Sequence, residues 1–187
     1  MNFNPALHEY TENGHVVRSV TQILKDAGII DDTWYNEEAR ERGSAVHTLC
    51  ERYANGERLS RMAVPIADYE YVNAFAAWIK NCGAYPIALE CVISGTVNGH
   101  RYAGKFDGLY EIMGKRVLVD LKTGAKAKWH RIQLAAYGMG ELEDGMRLNP
   151  DKAMVLYLHA DGLYKADFLT GSDLIKGISE FKEAISA

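Results

Sequence analysis

One segment constrains this chain more than any other: GKFDGLYEIMGKRVLVDLKTG, from Gly104 to Gly124. Two runs rich in β-formers flank Gly114-Lys115, a turn signal, so the segment reads as a hairpin. Aspartates stand on both arms, Asp107 and Asp120, and Lys122 follows the second by two residues. Side chains alternate along a strand, so Asp120 and Lys122 share a face. Carboxylates suit hard divalent cations such as Mg²⁺ or Mn²⁺. The lysine would then sit over whatever such a cation holds.

Punctuation and periodicity order the rest. Ser19 and Gln22 have capping-box spacing before a short helix that Gly28 can end. A longer helix is expected from about Trp34 to Ala54, stopping at Asn55-Gly56. Pro65 suits the first turn of a third helix, which reaches Cys82 before Gly83. The period then changes. Three β-rich runs span about Ile87 to Leu121, and Asn98-Gly99 is a type I′ turn signal. A helix follows from about Trp129 to Leu142. The run MVLYLHADGLYKADFL forms a second hairpin turning at Asp161-Gly162, and Gly171-Ser172 introduces a terminal helix. This order predicts an α/β class with a mixed sheet.

Composition narrows the function classes. With 187 residues, 48% hydrophobic and 25% charged, the chain suits one domain with a full core. No apolar run is long enough to cross a bilayer. The opening MNFNPALHEYTENGH lacks the basic and apolar blocks of a secretory signal. Cys50, Cys82 and Cys91 are odd in number and widely spaced, which indicates neither a disulfide framework nor a zinc site. A reduced cytoplasmic protein without a membrane partner is expected. The formal net charge is −4, yet the charge is graded. Residues 1–60 carry six basic and ten acidic side chains, whereas residues 101–131 carry eight basic and three acidic ones. Lys105, Lys126, Lys128 and Arg131 belong to the basic half. They are either a surface for a polyanion or an ordinary solvated face.

Further candidates lie outside the hairpin. In RGSAVHTLCERY, His47 and Glu51 are four apart on one helical face, with Gly43 one turn earlier leaving room for a close backbone approach. His47 is either a ligand or a histidine at a helix–sheet contact. Glu90 stands among apolar residues in YPIALECVIS, where a carboxylate needs a cation, a lysine or a donor. Gln133 and Tyr137 stand one turn apart in HRIQLAAYGMG. Their amide and phenol are groups able to position a phosphate.

Taken in order, these pieces resemble the RecB-like branch of the PD-(D/E)XK nuclease superfamily. That branch carries a GxxxHxxxE helix, an acidic strand residue, a GxxD strand, a D-x-K-T strand and a QLxxY helix. Here they read Gly43, His47 and Glu51; Glu90; Gly104-Lys-Phe-Asp107; Asp120-Leu-Lys122-Thr123; and Gln133-Leu-Ala-Ala-Tyr137. The likeness spans about Ser19 to Gly140, and SVTQIL resembles the start of small phage-type members. It implies a single domain with a restriction-endonuclease-like core, a mixed central sheet flanked by helices. It also implies a Mg²⁺- or Mn²⁺-dependent deoxyribonuclease. Asp107, Asp120, the Leu121 carbonyl and His47 would bind the cation, with one or two ions present. Lys122 would orient the attacking water, and Glu90 would be an auxiliary ligand. Glu51 and Thr123 would stand behind the ligands, and Gln133 and Tyr137 would hold a phosphate.

The proline that nominally precedes the first aspartate is replaced by Phe106. Three scattered cysteines do not supply the four that bind an iron–sulfur cluster in some relatives, so no cluster is expected. No GxxxxGK[ST] helicase motif occurs, so such a chain would act alone or recruit a helicase or a single-strand annealing protein. Exonuclease action in phage-type recombination is the leading expectation. An endonuclease of the same fold and a catalytically silent nucleic-acid-binding module are the alternatives, and an oligomer is compatible with any of these.

Overall fold

The structure, a computed structural model, describes residues 1–5, 7–31, 36–61 and 64–187. Five strands form the main sheet: β4 (Tyr85–Val97), β5 (His100–Ile112), β6 (Lys115–Lys122), β7 (Lys152–Leu158) and β8 (Tyr164–Phe168). They lie in that order. Only the β6–β7 pair is parallel, so the sheet is mixed and the class is α/β. Parallel neighbours need a crossover, which α4 (Trp129–Gly138) supplies.

Helices cover both faces, and strand alternation explains why. From β6, Val117, Val119 and Leu121 enter a core with Val46 and Cys50 of α2 (Glu37–Ala54) and Phe75 and Trp78 of α3 (Ile66–Cys82). Leu118 faces the opposite core. There it meets Val20 and Ile23 of α1 (Val20–Asp26), Leu134 of α4 and Phe181 of α5 (Gly171–Ser186). Asp120 and Lys122 follow Leu118 at intervals of two, so β6 aims them toward the α1–α4–α5 side. No described helix is long and apolar enough to cross a membrane.

Several boundaries differ from the sequence expectation, each for a local reason. The expected start of the second helix, Trp34, lies outside the described residues; the described helix begins at Glu37, where Asn36 accepts a hydrogen bond from Glu38 N–H at 2.9 Å. Pro65 caps α3 in an extended conformation (φ −52, ψ 138) and does not sit within its first turn. Ser19 accepts from Gln22 N–H at 3.0 Å, but the Gln22 side chain donates forward to Asp26 at 2.6 Å, so the capping box is half made. The β5–β6 turn lies one residue earlier than Gly114-Lys115, because Met113 (φ 51) and Gly114 (φ 73) take the two left-handed positions. Helix α4 stops at Gly138, short of Leu142, because Glu141 exchanges backbone hydrogen bonds of 2.8 and 2.9 Å with Ser94 of β4. Thr170 caps α5 in a reciprocal box with Asp173, and Gly171 is the first helical residue.

A second, three-stranded sheet escaped the sequence reading: β1 (Asn2–Asn4), β2 (Glu9–Glu12) and β3 (His15–Val17). Its signal was present in Asn13-Gly14, which has φ 51 and 80 and joins two runs of strand formers. The sheet is seated on β5 by Tyr10, Val17 and Ala103 and by a two-bond Arg101–Glu12 ion pair of 2.8 and 2.6 Å.

Candidate active site

The site forms where β5 and β6 part. Their ladder runs from Ile112↔Lys115 to Gly108↔Val119, and the Asp107–Asp120 position lies one step beyond. The Leu121 N–H beyond the ladder's end donates to the Asp107 carboxylate at 2.6 Å. A side chain thus completes the accounting for a backbone donor that the ladder leaves. The other Asp107 oxygen lies 3.1 Å from His47 Nδ1 on α2. Across the sheet on β4, Glu90 adopts φ +50, a left-handed conformation in mid-strand. Such a conformation in a non-glycine residue costs on the order of 1–3 kcal/mol and persists where surrounding contacts impose it.

His47, Glu90 and Asp107 each offer one ligand atom, and these atoms all lie within 4.8 Å of one another. Asp120 stands beside that group and is not a member of it. It is 3% exposed, and its Oδ2 lies 2.7 Å from Lys122 Nζ. The Lys122 ammonium is the partner of that buried oxygen. Lys122 also donates to Gln133 Oε1 at 3.1 Å and lies over the Trp129 ring. Gln133 in turn donates to Tyr137 Oη at 2.9 Å. Gly104 makes this chain possible, since a Cβ there would meet Tyr137 Cε1 at 2.6 Å.

The electrostatics of the group suit a cation. Burial, then the charge of Asp107, raises Glu90 despite its ion pair with Lys105. Burial again leads for Asp120, whose carboxyl is pushed up to about 6 against the pull of Lys122. Burial works against a charged His47, yet Asp107 outweighs it and raises that imidazole; Asp107 itself is lowered because His47 and Lys122 overcome its own burial. Two carboxyls that resist ionisation, Glu90 and Asp120, beside the ionised Asp107 and the His47 ring make a donor set that fits a divalent cation.

These residues line one cleft of about 820 Å³, together with Glu51, Lys105, Leu121 and Thr123. Three of the basic residues expected at the substrate surface are placed elsewhere. Lys126 is ion-paired with Asp167 of β8, and Arg131 makes two 2.7 Å bonds to Glu180 of α5. Lys128 and Arg131 line a separate cavity. In exchange, Arg40 and Arg42 reach the cleft from α2, out of the acidic half of the sequence. Gly43 does not admit a backbone: a Cβ there would meet Thr123 Oγ1 at an ordinary 3.6 Å.

His130 is a further cleft residue that sequence reasoning missed. Its Nδ1 is 2.9 Å from Tyr157 Oη, and burial, then Lys122, pulls its imidazole down to about 3. It is therefore neutral beside the lysine. The only sequence signal was its place immediately after Trp129.

No family model matches the chain, and no curated protein matches it. Solved structures of similar shape include a candidate exonuclease from Eubacterium rectale, at 17% identity over 87% of this chain and 69% of that one, with a TM-score of 0.49. Another is LHK-Exo in complex with dAMP, at 15% identity over 91% of this chain and 86% of that one, with a TM-score of 0.39.

Proposed function

We propose that this protein is a metal-dependent deoxyribonuclease of the RecB-like PD-(D/E)XK type that hydrolyses DNA phosphodiester bonds as an exonuclease. The observation that carries the reading is the joining, in one cleft, of the His47–Glu90–Asp107 ligand group with Lys122 on a buried aspartate. A binding module has no use for that combination. His47, Asp107, Asp120 and the Leu121 carbonyl would hold Mg²⁺ or Mn²⁺, with Glu90 as auxiliary. When bound, the cation supplies Lewis acidity toward a phosphoryl oxygen and lowers the pKa of a bound water.

The chain's own groups do the remaining work. Lys122 offsets the negative charge that grows on the phosphate and orients the water that attacks it. Asp120 and Gln133 hold the ammonium in place from two sides. Gln133 and Tyr137 steady a phosphate, and Glu51 and Thr123 support the wall of the cleft. In the exonuclease reading a DNA end enters this cleft, in a phage-type recombination or repair setting, with an annealing protein or helicase to present it.

Incubation with Mg²⁺ or Mn²⁺ and linear, circular and single-stranded DNA tests this. Degradation of linear DNA with circles left intact is the expected result. Nicking of circles would replace the exonuclease by an endonuclease of the same fold. If every polymer survives, a silent nucleic-acid-binding module is the better description. Lys122→Ala is expected to lower cleavage by at least ~10²-fold while circular dichroism shows the fold intact.

A further inference from the structure

Helix α4 brings one more polar side chain to the cleft than the QLxxY pattern names. His130, Gln133 and Tyr137 stand at i, i+3 and i+7, a spacing that shares one helical face. All three are buried and line the cleft. Gln133 accepts from the Lys122 ammonium and donates to Tyr137. His130 lies one turn nearer the helix start. Its ring centre is 4.2 Å from that of Trp129, over which the same ammonium sits. Burial, then the Lys122 charge, keeps the imidazole uncharged.

The partners of the ring decide where its one proton sits. The Ala127 N–H, which can only donate, reaches Nδ1 at 3.4 Å, and the His130 N–H returns a bond to the Ala127 carbonyl at 3.3 Å. Nδ1 is thus an acceptor, and Tyr157 Oη, 2.9 Å away, donates to it. A neutral imidazole has one acceptor nitrogen and one donor nitrogen, so the proton is on Nε2. Among the described residues no group binds Nε2, yet that atom is not sealed from water, although the residue is only 4% exposed. The space His130 lines is the cleft, so the Nε2–H opens there.

A histidine that only clamps the start of α4 uses Nδ1 and nothing else. An asparagine serves such a clamp with the same reach and without a ring beside a cation. A donor left without a protein partner in a nearly buried ring is unfavourable unless something else accepts from it. The acceptor that Lys122 draws to this wall is an anionic oxygen, and a hydrogen bond to an ionised acceptor is stronger than a neutral pair. An uncharged donor also gives direction without repelling the ammonium beside it.

We propose that His130 is a further substrate-binding residue, whose Nε2–H donates to a nonbridging oxygen of the phosphate that Lys122 attracts, while Ala127 and Tyr157 fix the tautomer from behind. This deepens the nuclease reading and rests on it for the identity of that phosphate as part of DNA.

The experiment titrates metal-free protein with a short labelled DNA oligonucleotide, single-stranded and paired, so that binding is read without cleavage. Two substitutions separate the two ring nitrogens. His130→Asn places an amide oxygen near the position of Nδ1 and keeps an acceptor for Ala127 and Tyr157, with no group at the position of Nε2. His130→Gln reaches the position of Nε2 with an amide N–H and gives up the Nδ1 bonds. A clamp alone would favour Asn over Gln in both stability and binding. The donor role reverses the order for binding: Asn weakens the better-bound DNA form about tenfold, whereas Gln stays within about twofold of wild type. Circular dichroism confirms that both variants fold. Histidine nitrogen NMR of the wild type is expected to show one signal, absent from His130→Asn, with its proton on Nε2, and to show that signal move as DNA saturates the protein. Wild-type affinity in the Asn variant, a Gln variant as weak as Asn, a proton on Nδ1, or a signal that DNA leaves in place overturns the donor, as does failure of both DNA forms to bind. The nuclease reading falls on a different result, the absence of metal-dependent cleavage by the wild type, so the two failures are distinguishable.

Discussion

Asp120 shows how one residue sets competing demands. Its carboxyl is held up at about 6, chiefly by burial and also by Asp107. An unfolded aspartate titrates near ~3.9, so between these values the folded chain binds the extra proton. Metal-free stability therefore falls as pH rises through about 6 and stays lower above it. Asp120→Asn removes that loss. Relative to wild type, its melting temperature should climb between pH 4.5 and 7.5, by on the order of 2 kcal/mol in stability, while cleavage disappears. Thermal melts in chelator at several pH values decide it; a constant difference would contradict the assignment. The glycines of the motifs behave differently from one another. Gly104→Ala drives a Cβ to 2.6 Å from Tyr137 and should cost ~1–3 kcal/mol by denaturant titration. Gly43→Ala has ordinary space in the interior of a helix and should gain up to ~1 kcal/mol.

At the scale of elements, turns and strand ends explain both what was legible and what was not. The hairpin at Asn98-Gly99 was readable because both residues accept φ > 0. The next turn was misplaced by one because Met113, an unlikely side chain for φ 51, occupies the first position. Met113→Gly should stabilise the protein by up to ~1 kcal/mol, since the side chain is exposed and the relief of left-handed strain exceeds the entropy that glycine adds to the unfolded chain. A lowered denaturation midpoint would mean that the turn carries less strain than glycine costs in the unfolded chain. Helix α4 ended early because a strand partner, Ser94, claims Glu141. No local pattern near Gly138 announces a partner that lies some forty residues away. The N-terminal sheet had a local signal in Asn13-Gly14, but strands of three and four residues are too short for alternation to register.

At the scale of the whole molecule, the cleft concentrates acids that a divalent cation would stabilise further. Mn²⁺ at a hundredfold excess over its dissociation constant should raise stability by ~2.7 kcal/mol, or roughly 5–10 °C in melting temperature for a chain of this size. Chelator should reverse the shift, and Asp107→Asn should abolish it. An unshifted wild type would remove the cation from the account. The sequence alone determined the α/β order and the shared face of Asp120 and Lys122, and it named the candidate residues for the site, because those depend on residue type and on spacings within single elements. Only the tertiary structure decided which of them meet. The parting of β5 from β6 puts Asp107 against Leu121, α2 brings His47 to that opening, and long-range pairs with Asp167 and Glu180 draw Lys126 and Arg131 away. It also set His130 against Tyr157, 27 residues distant in sequence, on the wall of the cleft. Charge and period are local properties of a chain; the partner that neutralises a charge, or the ring that faces a cleft, is chosen by which segments the fold brings within a few ångströms.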